Sequence, residues 1–168
     1  MTNNQTKVLV VDDSKESVDL LEYFLKPAGY TIIKAMDGAT ALEIVENDPP
    51  DIILLDIMLP KVNGYEVCEK LKKQQSTFHI PIIMITVLKE LKDKIKGLEA
   101  GADDFLSKPF DSVELLTRVK SLLRIKQYHD EIIKRNKELE KQKEILIRED
   151  LLKKELTNLI VHDMKNPL

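Results

Sequence analysis

Apolar residues follow two alternating rhythms through the first two thirds of the chain. Short continuous runs occur at KVLVV (Lys7–Val11), TIIKA (Thr31–Ala35), DIILL (Asp51–Leu55) and IPIIMIT (Ile80–Thr86), with a shorter FLS at Phe105–Ser107. Unbroken β-branched and leucine runs of this length predict strands covered on both faces, as in a parallel sheet. Between them the spacing becomes helical. Val18, Leu21 and Leu25 make one stripe, Ala41 and Val45 a second, and Val67 and Leu71 a third. Leu91, Ile95 and Leu98 make a fourth, and Val113, Leu116 and Val119 a fifth. Ser14 is placed to cap the first helix and Pro27-Ala28-Gly29 to stop it. Five strands alternating with five helices predict a doubly wound α/β domain over about residues 5–124.

Beyond that domain the pattern changes. All five glycines and six of the seven prolines lie at or before Pro109, so Asp111 to Asn166 is free of both and can be helical throughout. Ile125, Ile132, Leu139 and Leu146 recur every seven residues, and Ile145, Leu152 and Leu159 keep that interval one position out of phase, with Leu156 between them. The companion heptad positions, Tyr128, Arg135, Gln142 and Glu149, are mostly polar, so a strict two-position seam is not met. Two readings remain, a single solvated helix and a parallel dimeric coiled coil with a polar middle. The second is favoured, because a long helix with nothing to pack against is marginally stable.

Composition changes the picture only by exclusion. The net charge of −3 offers no basic field for nucleic acid, and none is expected as a partner. Cys68 is the lone cysteine, so no intrachain disulfide can form and a reducing compartment fits. No apolar run approaches the ~18 residues of a membrane span, and MTNNQTK lacks the apolar stretch of a signal peptide. The expectation is a cytoplasmic protein without a membrane partner.

The strand ends carry the chemistry. The first strand runs into Asp12-Asp13, the third into Asp56 and the fourth into Thr86, and Lys108-Pro109 follows the fifth. Ligand sites in open α/β sheets gather in the crevice beyond the carboxyl ends of the strands. If these four strands are neighbours, three carboxylates, a hydroxyl and an ammonium converge there. Crowded carboxylates call for a cation, and all-oxygen donors with room for water suit Mg²⁺. Lys108 and Thr86 would then serve a second anion, which together describes a phosphoryl-transfer site with one carboxylate as nucleophile. An Asp-Asp pair alone is often only a turn or cap. Its coincidence with three other strand ends argues otherwise.

VLVVDDSKES, DIILLDIMLPKVNGYEV, PIIMITV and GADDFLSKPF, in this order and at these intervals, resemble the receiver domain of two-component response regulators. The resemblance implies a flavodoxin-like five-stranded parallel sheet of order 2-1-3-4-5, with residues 1–124 as the receiver. It implies Asp56 as phosphoacceptor. Asp13 and Asp56 would bind Mg²⁺ directly, Asp12 through water, and the carbonyl of Met58 would complete the protein ligands. Thr86 and Lys108 would hold the phosphoryl oxygens, with a cis bond before Pro109 aiming the lysine. Phe105 would be the switch aromatic, where tyrosine is common. The residue after the threonine is usually small in this family and here is Val87. With Leu88 and Met58 it adds apolar bulk that should hinder an attacking water, so slow self-dephosphorylation is expected. The implied partner is a cognate histidine kinase or phosphotransfer protein.

The stretch IVHDMKNPL resembles the phosphoacceptor box of histidine kinases. In that resemblance His162 accepts the phosphoryl group, Asp163 assists proton removal, Asn166 orients water and Pro167 kinks the helix. Residues 125–156 would be a coiled-coil linker and 157–168 the truncated box. The expectation is a receiver signalling through a dimeric helix to a kinase core absent from this chain, the longer parent being a histidine kinase. The chain has no ATP-binding domain of its own. The alternative is a stand-alone dimeric response regulator acting by protein–protein interaction. An aspartyl phosphatase usually needs a second Asp two residues after the nucleophile, where Met58 stands, and no helix-turn-helix follows residue 124.

Overall fold

The computed structural model describes residues 5–87 and 90–166. Leu88 and Pro167, expected above to add bulk and to kink a helix, lie outside the described residues. The chain divides into two compact units, Met1–Lys126 and Gln127–Leu168.

In the first unit β1 (Lys7–Val11), β2 (Thr31–Ala35), β3 (Ile52–Asp56), β4 (Ile82–Thr86) and β5 (Asp104–Ser107) form one parallel sheet of order β2-β1-β3-β4-β5. The connections are α1 (Lys15–Leu25), α2 (Gly38–Asn47), α3 (Gly64–Lys73) and α4 (Leu91–Glu99), and α5 (Ser112–Lys165) follows β5. Alternation along each strand divides the core in two. Leu9, Val11, Ile53, Leu55 and Met84 pack with Ala41, Val45, Val67 and Leu71 of α2 and α3. Val8, Val10, Ile52, Leu54, Ile83 and Ile85 pack with Val18, Leu21 and Leu25 of α1 and with Leu115 and Val119 of α5. Both faces are dry, which explains why the strands read as continuous apolar runs.

Local chemistry sets the helix starts. The side chains of Ser14, Asp37 and Asn63 accept from the backbone N–H groups of Ser17, Thr40 and Glu66, satisfying donors that the first turns of α1, α2 and α3 leave unpaired. Gly29 ends the short 3₁₀ turn after α1 at φ 92°, a left-handed position that favours glycine.

Two stripes are not buried as their spacing suggests. Leu91, Ile95 and Leu98 of α4 are exposed, and Gly97 is the buried residue of that helix. In α5, Val113 is exposed and Leu116 half-buried, while Leu115 and Val119 are fully buried. Period 3.6 identifies a helix, but which face meets the sheet is decided by tertiary packing. Strand ends also differ slightly: β3 begins at Ile52 and includes Asp56, and β4 begins after Pro81.

In the second unit α5 continues to Lys165. Among its described residues every side chain is exposed except half-buried His129. Ile132, Leu139, Ile145, Leu146, Leu152, Leu156 and Leu159 are all exposed. No helix among the described residues is long and apolar enough to cross a membrane.

Burial distinguishes two leucines that the sequence treats alike. Leu54→Ala should destabilise the protein by about 2–5 kcal/mol, whereas Leu98→Ala should change stability by no more than about 0.5 kcal/mol. Urea unfolding of both variants tests this assignment of faces.

Candidate functional site

The strand register brings the polar residues to one edge. Val11 pairs with Leu55, Asp56 with Ile85 and Thr86 with Ser107, so Asp12, Asp56, Thr86 and Lys108 all emerge at the carboxyl ends of neighbouring strands. Lys108 closes the group. Its Nζ lies 2.8 Å from Asp12 Oδ2 and 2.7 Å from Asp56 Oδ2, and it donates at 3.4 Å to Ser17 Oγ. The other oxygen of each carboxylate is held by backbone: Asp12 Oδ1 accepts from Ser14 N at 2.9 Å, and Asp56 Oδ1 from Met58 N at 2.9 Å. The Lys108 N–H donates to the Thr86 carbonyl at 2.8 Å, and the Lys108–Pro109 bond is cis.

Burial makes this cluster electrostatically asymmetric. Asp12, Asp56 and Thr86 are buried, while the Lys108 side chain stays 21% exposed. Loss of water raises the Asp56 pKa, and repulsion from Asp12 adds to it; the ammonium and the Met58 N–H oppose this without cancelling it. At Lys108 burial works against the charge, yet the bonds to Asp12 and Asp56 outweigh it and raise the pKa. The ammonium is therefore firmly charged, and the carboxylate it touches is more basic than usual.

The other expected residues take less convergent places. Asp13 is exposed beside the cluster, and among the described residues it has no hydrogen-bond or ion-pair partner. The Met58 and Val87 side chains are both 59% exposed. Val87 lines a pocket of about 320 Å³ together with Ser17, Leu20, Leu21, Lys108, Pro109 and Phe110. Half-buried Phe105 lies against Gly97 of α4, where a Cβ would collide with its ring. In the second unit His162 Nδ1 lies 3.6 Å from Asp163 Oδ1, and Asn166 N donates to the His162 carbonyl at 3.2 Å. Ser17 was missed by sequence reasoning. Its one signal is its position three residues after the Ser14 cap, in the first turn of the helix that follows Asp12-Asp13.

The sequence model of the response regulator receiver domain matches residues 8–120, more than half of the chain. The chain belongs to that family. Among curated proteins, response regulator PleD of Caulobacter vibrioides is 50% identical over 129 residues, 77% of this chain and 28% of that protein. The alkaline phosphatase synthesis transcriptional regulatory protein PhoP of Bacillus subtilis is 50% identical over 118 residues, 70% of this chain and 48% of its own length. The chain thus spans less than half the length of either relative. Among solved structures, a CheY-like receiver domain protein from Methanospirillum hungatei is 29% identical with a TM-score of 0.70, covering 75% of this chain and 99% of that one. The signal receiver domain of a signal transduction histidine kinase from Syntrophus aciditrophicus is 35% identical with a TM-score of 0.67, covering 71% of this chain and 90% of that one.

The protein is thus a receiver of two-component signalling, a type of domain that interacts with histidine kinases or phosphotransfer proteins and generally binds Mg²⁺ at its phosphorylation site. The donor chemistry of this receiver fits that ion. Its side chains offer hard carboxylate oxygens and no thiolate or imidazole, and the exposed Asp13 carboxylate has no partner among the described residues. Among the described residues no three carboxylate, imidazole or thiolate groups form a ready-made cage. Mg²⁺ does not need one, since it keeps several waters and takes one or two carboxylates.

The raised Asp56 pKa fixes a direction for pH dependence. Between the unfolded carboxylate value of ~3.9 and the higher native value, the folded chain holds a proton that the unfolded chain has lost. The contribution of Asp56 to stability therefore falls as pH rises through that window and stays low above it. Asp56→Asn should be more stable than the parent at pH 7, and its advantage should shrink as pH approaches ~4. Urea midpoints at the two pH values measure this, and a constant advantage would contradict the assigned shift.

Proposed function

We propose that Asp56 is the phosphoacceptor of this receiver, with Asp12, Asp13, Thr86, Lys108 and the Met58 carbonyl as its supporting groups. The observation that carries this reading is the Lys108 ammonium bound to both Asp12 and Asp56 at the carboxyl edge of the sheet. A carboxylate oxygen of Asp56 attacks the donor's phosphorus. The new O–P bond forms as the bond from phosphorus to the donor's leaving atom breaks, leaving an acyl phosphate. Lys108 neutralises charge on the incoming phosphoryl oxygens, and the Thr86 hydroxyl donates to another of them. Asp13 and Asp56 directly, Asp12 through water and the Met58 carbonyl would hold Mg²⁺, which supplies further charge neutralisation when bound. Val87 lines a pocket with Lys108, and Met58 follows Asp56 by two residues; their apolar bulk supports slow loss of the phosphoryl group to water.

The phosphorylated receiver signals through a parallel homodimer of the C-terminal helix to a histidine kinase core outside this chain. Two observations support that output. IVHDMKNPL keeps His162 and Asp163 adjacent and exposed on a helix. A solved receiver similar to this one is described as part of a signal transduction histidine kinase. The second reading is a stand-alone dimeric response regulator, favoured by the 50% identity to response regulator PleD. His162 separates the two: a kinase core supplied with ATP labels it in the first reading only.

Incubation with Mg²⁺ and acetyl phosphate should add one base-labile phosphoryl group to the protein. Asp56→Asn should abolish the adduct, and Asp13→Ala should require about tenfold or more additional Mg²⁺ for the same yield, through loss of a direct oxygen ligand. Intact-mass spectrometry is the measurement, and undiminished modification of Asp56→Asn would sink the assignment. Light scattering at tens of micromolar should give a dimer for the whole chain and a monomer after truncation at Arg124. A monomeric whole chain would remove the helix as the output element.

A further inference from the structure

Among the helices around the sheet, α4 is held most sparingly. Leu91, Ile95 and Leu98 face solvent, and its buried residue is a glycine. Gly97 packs on Phe105 and Met84 of the sheet, and α3 adds polar contacts. The Tyr65 hydroxyl donates to the Asp93 carbonyl at 3.2 Å, and Lys96 Nζ lies 4.6 Å from the centroid of the Tyr65 ring. One turn along α3, Cys68 Sγ donates to the Ala100 carbonyl at 3.4 Å. Tyr65 is almost wholly buried, and the Lys96 that lies over its ring is exposed.

The other side of Tyr65 is tied to Asp56. Gly64 N donates to the Ile57 carbonyl at 2.9 Å, and a Cβ at Gly64 would collide with the Asp56 carbonyl oxygen. The backbone just before Tyr65 is therefore seated directly on the phosphoacceptor's own peptide. The intervening loop is also tied to the Asp56 side chain, because Met58 N donates to Asp56 Oδ1. Turning one carboxylate oxygen into an acyl phosphate weakens the other as an acceptor, since the negative charge moves onto the phosphoryl oxygens. The bond that sets the loop then changes with the modification state. A rigid aromatic, anchored at one end of α3 and bonded twice to α4, carries that change across.

We infer that Tyr65 is a positioning residue that couples Asp56 to α4 through the loop 57–64, alongside the Thr86 and Phe105 side. The inference rests on Asp56 being the phosphoacceptor. It concerns which residues move α4 once the phosphoryl group is in place. Tyr65→Phe keeps the ring and the Lys96 contact and removes the bond to the Asp93 carbonyl.

The experiment is hydrogen exchange by mass spectrometry on the whole chain, with and without Mg²⁺ and acetyl phosphate. Adduct yield is read from intact mass in the same samples. In the parent, exchange across residues 91–99 changes on phosphorylation. In Tyr65→Phe the adduct yield is unchanged, and the phosphorylation-dependent change across 91–99 shrinks about threefold or more. Tyr23→Phe, altering an exposed tyrosine of α1, leaves that change intact. A merely structural role for Tyr65 would shift exchange equally in both states and leave the difference whole, and that result overturns the inference. So does a parent chain that carries the adduct without any change at α4. Absence of the adduct from the parent refutes the Asp56 assignment itself, and the inference falls with it.

Discussion

One ammonium group between two buried carboxylates organises this receiver. Asp12 and Asp56 stand at the ends of adjacent strands, and without Lys108 their charges would meet in a place that water barely reaches. Lys108 comes from beyond β5 and bonds to both, so three separate strands must reach one edge in register for the charges to balance. The balance is incomplete. Desolvation still raises the Asp56 pKa, whereas the same contacts keep Lys108 charged. A carboxylate of raised basicity beside a fixed cation is poised for an incoming anion that brings its own counter-charge. This is the physical basis for proposing it as the phosphoacceptor.

The two units differ in what their surfaces need. The sheet buries apolar side chains on both faces and leaves α4 as its least committed helix. A helix with its leucines in solvent and few bonds to its neighbours suits the inferred coupling, because it could shift without breaking the core. Beyond Lys126 the apolar residues of the helix are exposed at every described position. An assembly would bury them, which supports the proposed pairing. The polar positions Arg135, Gln142 and Glu149 would weaken such a pair in its middle while restricting its register.

The sheet was legible in the sequence because a parallel strand buried on both faces has to be apolar at nearly every position. The cluster proposed as the site was legible for a related reason. Polar residues at the ends of such runs break the apolar pattern, so Asp12, Asp56, Thr86 and Lys108 stand out against their neighbours. The motif intervals then identified the family, and with it the strand order. Local caps at Ser14 and the stop at Gly29 depend on contacts within a few residues and were equally readable.

Tertiary structure alone decided the rest. Leu91, Ile95 and Leu98 have the spacing of a core stripe, yet they are exposed, because α4 meets Tyr65, Cys68 and Phe105 through Asp93, Ala100 and Gly97 instead. Ser17 carries no signal beyond its place after the Ser14 cap, and Tyr65 carries none. A hydroxyl 91 positions from the lysine it meets, and another 28 positions from the carbonyl it binds, acquire meaning only when folding brings them together. Periodicity reports how a segment relates to its own axis. Which side of that axis faces a partner is a property of the whole fold.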